Sequence, residues 1–308
     1  MRPYLAFGVR PRKIAAATVV VSVRDGPGPV NTAGVGVEEG RPVTGYAFFD
    51  AVLEQPGSVV AMAHRGGALH PDLIGVENTL HAFRHAAALG YRYLETDVHV
   101  TRDGRLVAFH DAALDRMTGQ PGALASVAAE ELAQLRIGGE HAVPWMAELL
   151  EELPQCRFNI DLKAPGAVPA LADLVERTGA RDRVCVGSFS SRLLQQFRRQ
   201  TRGSVATSAT PAEVAYFLAA SWPRVTRMVR RRPFAALQIP RRHGRLRLVT
   251  RSVVRRAHAA GLHVHVWTVD EPAEMVELLD IGVDGLITDR TDLLKDVLLA
   301  RGLWRDLP

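Results

Sequence analysis

The sequence predicts an α/β chain closed into a (β/α)8 TIM barrel, with a short hairpin inserted after the second strand. Three observations carry that prediction. Eight short apolar runs recur across residues 58–289, and helix-period patterns lie between most of them. Gly or Pro marks the joins, as helix ends require. No run leads into the GxGxxG loop of a doubly wound nucleotide-binding sheet, the main alternative.

Taken in order, residues 1–42 contain DGPGPV and NTAGVGVEEGRPVTG and show little periodicity after residue 23, which predicts a disordered extension or a misassigned start. Residues 43–308 form the barrel, led in by a short helix over YAFFDAVLEQ (46–55). The predicted strands are 58–64, 91–98, 157–162, 182–189, 203–208, 234–240, 262–269 and 284–289. The extra strand GRLVAFHD (104–111) follows the second run across a TRDG turn suited to a hairpin. Helical patterns such as ENTLHAFRHAAALG, AVPALADLVERTG, SRLLQQFRRQ and PAEMVELLDIG fill the intervals.

A chain of 308 residues, 47% hydrophobic, can bury a large core. The net charge is +5, yet the only lysines are Lys13, Lys163 and Lys295. Arginine-for-lysine skew beside so much Ala, Gly and Val reads as genomic base composition, so no nucleic-acid partner is inferred. Cys156 and Cys185 lack metal-ligand spacing and read as free thiols packed in strands. No apolar run reaches the roughly 20 residues that span a bilayer. IAAATVVVSV (14–23) runs into RDGPGP instead of a small-residue cleavage site, which favours a cytoplasmic location over secretion. The Arg-rich stretch 221–251 reads as a solvated loop or as a weak peripheral contact with anionic membrane, with Trp222, Met228 and Phe234 as apolar contacts. Oligomeric state is not legible.

Barrel enzymes build their sites at the C-terminal ends of the strands. There the first run ends in His64-Arg65-Gly66-Gly67, where paired glycines would let the backbone approach a bound group. Glu95 and Asp97 share one face of the second strand, and Asn159, Asp161 and Lys163 one face of the third. The hairpin strand ends in His110-Asp111. Converging carboxylates repel unless a cation joins them, and oxygen-only ligands point to one divalent Mg²⁺ or Ca²⁺ held by Glu95, Asp97 and Asp161. A salt bridge from Lys163 to Asp161 is the competing account of that pair. His64 and His110 supply an acid and a base near neutral pH. Arg65 and Lys163 fit a multi-oxygen anion such as phosphate. Together these predict metal-assisted cleavage of a phosphate ester.

Around this core, Glu77 is assigned to Arg65 or the metal surroundings, and Asn78 to the cap of the following helix. Trp267, at the end of the seventh strand, is assigned to stacking on the substrate, with core packing as the competing account, and His265 to the interior. His99 is expected near the catalytic residues. Gln238 is a candidate substrate contact. His81 and His85, four apart, lack the glutamate of a metalloprotease helix and are assigned to packing or solvent.

The ordered motifs HRGG (64–67), ENT (77–79), ETDVHVTRDG (95–104), HD with LDR (110–116), NIDLK (159–163), WTVD (267–270) and DGLITD (284–289) resemble those of the glycerophosphodiester phosphodiesterases across residues 58–302. The resemblance implies a metal-dependent barrel that hydrolyses glycerophosphodiesters to an alcohol and glycerol 3-phosphate. It implies His64 and His110 as the catalytic pair, Arg65 as phosphate ligand, and Glu95 and Asp97 as metal ligands. Asp161 stands where that family usually has Glu, one methylene longer. Asp270 and Thr291 replace the usual Asn and Pro. The rival expectations are a lysophospholipase D activity on lysophospholipids and a non-catalytic phosphate- or lipid-binding barrel.

Overall fold

The computed structural model describes residues 41–51, 59–222, 224–225 and 234–304. The prediction for residues 1–40 and part of the lead-in helix therefore lie outside the described residues. All eight predicted barrel strands are present: β1 (Val60–His64), β2 (Tyr93–Val100), β3 (Arg157–Leu162), β4 (Val184–Gly187), β5 (Ala206–Thr207), β6 (Ala236–Pro240), β7 (His263–Trp267) and β8 (Gly285–Thr288). They pair in parallel in the order β5-β4-β3-β2-β1-β8-β7-β6. A parallel bridge between Ser208 and Ala236 joins the two ends, supported by Ala209 N donating to Ala236 O at 2.8 Å. The predicted hairpin is the short strand Leu106–Ala108, antiparallel to β2.

Strand alternation divides the residues between two environments. Leu94, Val98, Phe158, Ile160, Leu162, Val184, Val186, Val264 and Leu286 are buried in the apolar layer between sheet and helices. The opposite set faces the barrel axis, and its composition changes along that axis. At the N-terminal end Val60, Met62, Tyr93, Cys185, Ala206, Ala236 and Ile287 form an apolar floor with Phe48 and Phe49. Those two aromatics come from the helix Ala47–Asp50, the part of the predicted lead-in helix that is described. Full burial of each ring is worth about 1.5–3 kcal/mol. Tyr93 Oη donates to Phe48 O at 2.9 Å, and the two rings meet edge to face at 5.3 Å. Both cysteines are buried free thiols.

The floor also holds a fully buried carboxylate. Asp284 accepts from Val264 N at 2.7 Å and His258 Nε2 at 2.9 Å, with Arg41 Nε at 3.3 Å. His263 Nε2 stands 2.9 Å from the Pro42 carbonyl, so Arg41 and Pro42 both engage this end of the barrel.

The basic stretch is partly outside the described residues, Met228 included. Phe234 is buried and the Arg198 guanidinium lies 5.9 Å from its ring, so it does not serve as a surface contact; Trp222 is exposed. Arg241 pairs with Glu274 and Glu277, and Arg247 with Glu277, which neutralises part of the patch. Among the described residues no helix is long and apolar enough to cross a membrane.

Burial alone would raise the Asp284 carboxyl, but His258, His263 and the Val264 amide overcome it and hold the group below its ordinary range. The stabilisation this represents is complete above the unfolded value near 4 and is lost as pH falls through the folded value. Asp284→Asn is expected to lower stability at neutral pH by about 3–5 kcal/mol, the cost of breaking a buried charge cluster. Its deficit should shrink in urea melts taken below about pH 4; an equal deficit at both pH values would show that the carboxyl is neutral in the fold.

Candidate active site

At the mouth the axial residues become charged. His64 ends β1 and is anchored through Nδ1, 2.7 Å from Asp289 Oδ1 beyond β8, while Nε2 lies 3.6 Å from Glu95 Oε2 on β2, outside hydrogen-bond reach. Burial opposes its charge, but Glu95 and Asp289 outweigh burial and raise the imidazole to about 9.

Arg65 adopts a left-handed backbone, φ 52°, an uncommon choice for a side chain with a Cβ. Its amide lies 3.0 Å from Glu95 O and 3.2 Å from Glu95 Oε2. Its guanidinium meets Glu77 Oε1 at 3.1 Å and Asp97 Oδ2 at 3.3 Å. Asn78 is the second left-handed residue, φ 57°, and its amide donates to Arg65 O at 2.9 Å. Its side chain donates to Asp97 Oδ2 at 3.3 Å and accepts from Thr96 Oγ1 at 2.8 Å. The helix cap assigned to Asn78 belongs to Thr79, whose side chain accepts from Ala82 N. The glycines serve packing: a Cβ on Gly66 would come within 2.8 Å of Ala82 Cβ, and one on Gly67 within 2.9 Å of Thr291 Oγ1.

Asp97 is 2% exposed, and Lys163 lies between it and the third strand. The Lys163 ammonium stands 2.8 Å from Asp97 Oδ1 and 2.7 Å from Asp161 Oδ2. Burial pushes all three carboxyls upward. Lys163 and Arg65 reverse this for Asp97, which lies low, whereas Asp161 and Glu95 stay raised. His110 follows the hairpin strand, and its Nδ1 lies 2.6 Å from Asp111 Oδ1. Arg116 Nε donates to Asp111 Oδ2 at 2.6 Å, and its Nη atoms reach both Glu77 oxygens at 2.7 and 3.1 Å. Glu77 therefore joins Arg65 to Arg116, and Arg116 joins Glu77 to the His110 support.

The donor set suits a hard cation, with one structural constraint. Protein donors reach Glu95 Oε2 and Asp161 Oδ2, which leaves the second oxygen of each. Gly187 keeps space beside Asp161: a Cβ there would stand 3.0 Å from Ser208 Oγ and 3.9 Å from both Asp161 Oδ1 and Gln238 Oε1, an oxygen-lined cradle. Glu95, Asp97 and Asp161 do not bring three oxygens within 4.8 Å of one another, because Lys163 stands between the two aspartates.

The other predicted residues are near but peripheral. Trp267 is partly buried at the end of β7, and its ring meets that of Phe189 edge to face at 5.8 Å. Phe189 is 65% exposed, and Lys163 Nζ lies 5.7 Å from its ring. Gln238 donates to Asn159 Oδ1 at 2.8 Å inside the barrel. His99 Nε2 stands 3.2 Å from the His110 carbonyl. His265 is fully buried with Nε2 unpartnered, so it is interior but not satisfied. Sequence reading missed Asp289, Asp111, Arg116 and Phe189. The first three sit inside quoted motifs, so their signal was an acid or arginine at a strand end. Phe189 carried no signal beyond an aromatic ending the fourth run.

Residues 64–293 match the model of the glycerophosphoryl diester phosphodiesterase family. A Mycobacterium tuberculosis protein named "Probable glycerophosphodiester phosphodiesterase 2" is 42% identical over 252 residues, covering 80% of this chain and 94% of its own. A rat lysophospholipase D is 25% identical over 273 residues, covering 77% and 85%. The crystal structure of a Silicibacter pomeroyi protein named "Putative glycerophosphoryl diester phosphodiesterase" superposes with a TM-score of 0.69 at 25% identity, covering 84% of this chain and all of the other. With the match running from the end of β1 past β8 and taking in every motif at the mouth, the chain belongs to the glycerophosphoryl diester phosphodiesterase family.

Proposed function

We propose that the barrel mouth hydrolyses glycerophosphodiesters to an alcohol and glycerol 3-phosphate, with His64 and His110 as the acid–base pair and a divalent cation bound by Glu95, Asp97 and Asp161. The observation that carries the reading is the pair of anchored imidazoles. His64 is held by Asp289 and His110 by Asp111, each through Nδ1, which leaves Nε2 as the working atom on both rings. Near His64, Glu95 Oε2 lies 3.6 Å from that Nε2. Near His110, the charges of Asp97 and Asp161 are close enough to interact with it.

In that setting one imidazole removes the proton of the attacking hydroxyl and the other protonates the departing oxygen. Arg65 is aimed by Glu77 and Asp97, and Lys163 by Asp97 and Asp161, so both donors are oriented before substrate arrives. The charges of both donors are already engaged by these carboxylates, so further positive charge would strengthen the hold on a phosphodiester anion. A hard divalent ion would supply that charge and polarise a phosphoryl oxygen, and the three carboxylates would close on it once Lys163 is drawn from between Asp97 and Asp161. Asp161 Oδ1, beside the Gly187 cradle, is the oxygen of the third ligand that no protein donor occupies.

A second reading changes the substrate to a lysophospholipid. It is favoured by the lysophospholipase D relative and by Phe189, a large apolar side chain left in solvent beside Trp267 at the mouth. An acyl chain leaving the site past that pair would bury both rings.

Three outcomes test these readings. His64→Ala and His110→Ala should each lose about 10²–10⁴-fold in kcat for release of glycerol 3-phosphate from glycerophosphocholine, with binding of the divalent ion retained. Wild-type turnover in either variant removes that histidine from the mechanism. Chelation with EDTA should abolish turnover, and Glu95→Gln and Asp97→Asn should raise the Mg²⁺ or Ca²⁺ concentration needed to restore it by about 10-fold or more. Chelator-insensitive turnover would contradict the ion. Phe189→Ala should raise KM for lysophosphatidylcholine while leaving that for glycerophosphocholine within about 2-fold; equal effects on both would retire the lysophospholipid reading.

A further inference from the structure

The loop that brings Arg65 and Glu77 to the mouth also carries His70 and Asp72, and the helix that follows it, Leu80–Ala88, carries His85. One donor atom from each of these three residues lies within 4.8 Å of the other two. Asp72 Oδ2 stands 3.8 Å from His70 Nδ1 and 3.8 Å from His85 Nε2. The imidazoles meet edge to face with centroids 4.4 Å apart. Both rings are sheltered, whereas the Asp72 carboxylate reaches solvent. His81, one turn before His85, takes no part; its ring stacks on His141 at 4.6 Å.

Packing between two imidazoles needs a reason, because protonating both at this distance is unfavourable. Burial and the neighbouring His70 hold His85 toward its neutral form, the form that ligates metal. The His85 nitrogen turned to Asp72 is Nε2; its Nδ1 faces away and is buried without a partner in the chain. Two imidazoles with one carboxylate form a donor set for a borderline transition ion, unlike the all-oxygen set at the mouth.

We propose that His70, Asp72 and His85 form a zinc site, separate from the catalytic ion, that fastens the loop after β1 to the helix behind it. Bonds of about 2.0–2.1 Å in a tetrahedral arrangement put donors roughly 3.3 Å apart, so the present 3.8 Å spacings close by a small side-chain adjustment. The bond that His70 Nδ1 accepts from Asp72 N, at 3.2 Å, is exchanged for the metal. Water or the second Asp72 oxygen completes the fourth position. The consequence is local: Arg65 and Asn78, the two left-handed residues at the ends of this loop, are held in place from outside the barrel.

The test titrates the full chain, stripped with a chelator, with Zn²⁺ under saturating Mg²⁺, against a chromophoric competitor. Co²⁺ absorption in the visible serves as a second readout. One Zn²⁺ per chain is expected, with affinity lowered about 10–100-fold in His85→Gln and in Asp72→Asn. Asp72 is exposed, so its variant remains folded if the His85 change does not. The Glu95→Gln, Asp97→Asn double variant should bind zinc as wild type does. Wild-type zinc affinity in both Asp72→Asn and His85→Gln overturns the site, as does loss of zinc in the mouth variant alone. Because binding is read without substrate, failure of the hydrolytic reading would leave this titration unchanged.

Discussion

The charge on Asp97 is the constraint from which the mouth of the barrel is built. A carboxylate this buried is costly unless it is paired and hydrogen-bonded, and three separate segments supply the partners. Lys163 comes from the end of β3, Arg65 from the end of β1, and Asn78 from the far end of the loop that follows. Each of these groups is held in turn. Lys163 is shared with Asp161, Arg65 with Glu77, and Asn78 with Thr96. A side chain that serves β1, β2 and β3 at once makes the geometry of the site a property of strand register. The pairings His64 to Glu95 and Asp97 to Asp161 are ladder neighbours.

The opposite end solves a different problem. Its axial residues are mostly small or apolar, closed by Phe48 and Phe49 with His263 and His265 beside them, and the carboxylate of Asp284 is enclosed by the Val264 amide, His258 and Arg41. Stability and chemistry are thereby separated along a single axis. Losing the floor would loosen all the strands together, whereas exchanging a side chain at the mouth changes reactivity and leaves the apolar packing alone.

Strand periodicity made most of this legible. Every barrel strand and the hairpin lie where alternation and turn residues put them, and the face shared by Glu95 with Asp97, and by Asp161 with Lys163, follows from period 2 alone. Contacts between segments far apart in sequence were less readable. Nothing local to DGLITD says that Asp289 will turn toward His64, or that Arg116 will bridge Asp111 and Glu77. Backbone conformation was misleading at two points. Asn78 resembled a cap because Asn commonly caps, but its left-handed backbone aims the amide at Asp97 and passes the cap to Thr79. The glycines after Arg65, read as letting the backbone approach a bound group, have a packing role that the motif did not reveal, since they accommodate Ala82 and Thr291.

The helix carrying His81 and His85 shows why spacing alone is a poor guide to metal sites. Residues four apart on a helix face the same way, yet neighbours decide which of them meet. His141, from the segment between β2 and β3, draws His81 aside, while the turn Pro71–Leu73 brings His70 and Asp72 to His85. Two kinds of donor set therefore lie near one loop: the carboxylates Glu95, Asp97 and Asp161 at the strand ends, separated by Lys163, and the imidazoles of His70 and His85 with Asp72. Donor softness keeps them apart, since a hard ion gains little from the histidine pair and a borderline ion prefers it to a carboxylate cluster already occupied by Lys163. The loop between them is strained at both Arg65 and Asn78, and such strain persists only when the surroundings over-determine it. A clamp on its outer side is where that determination would act on Arg65 from outside the barrel.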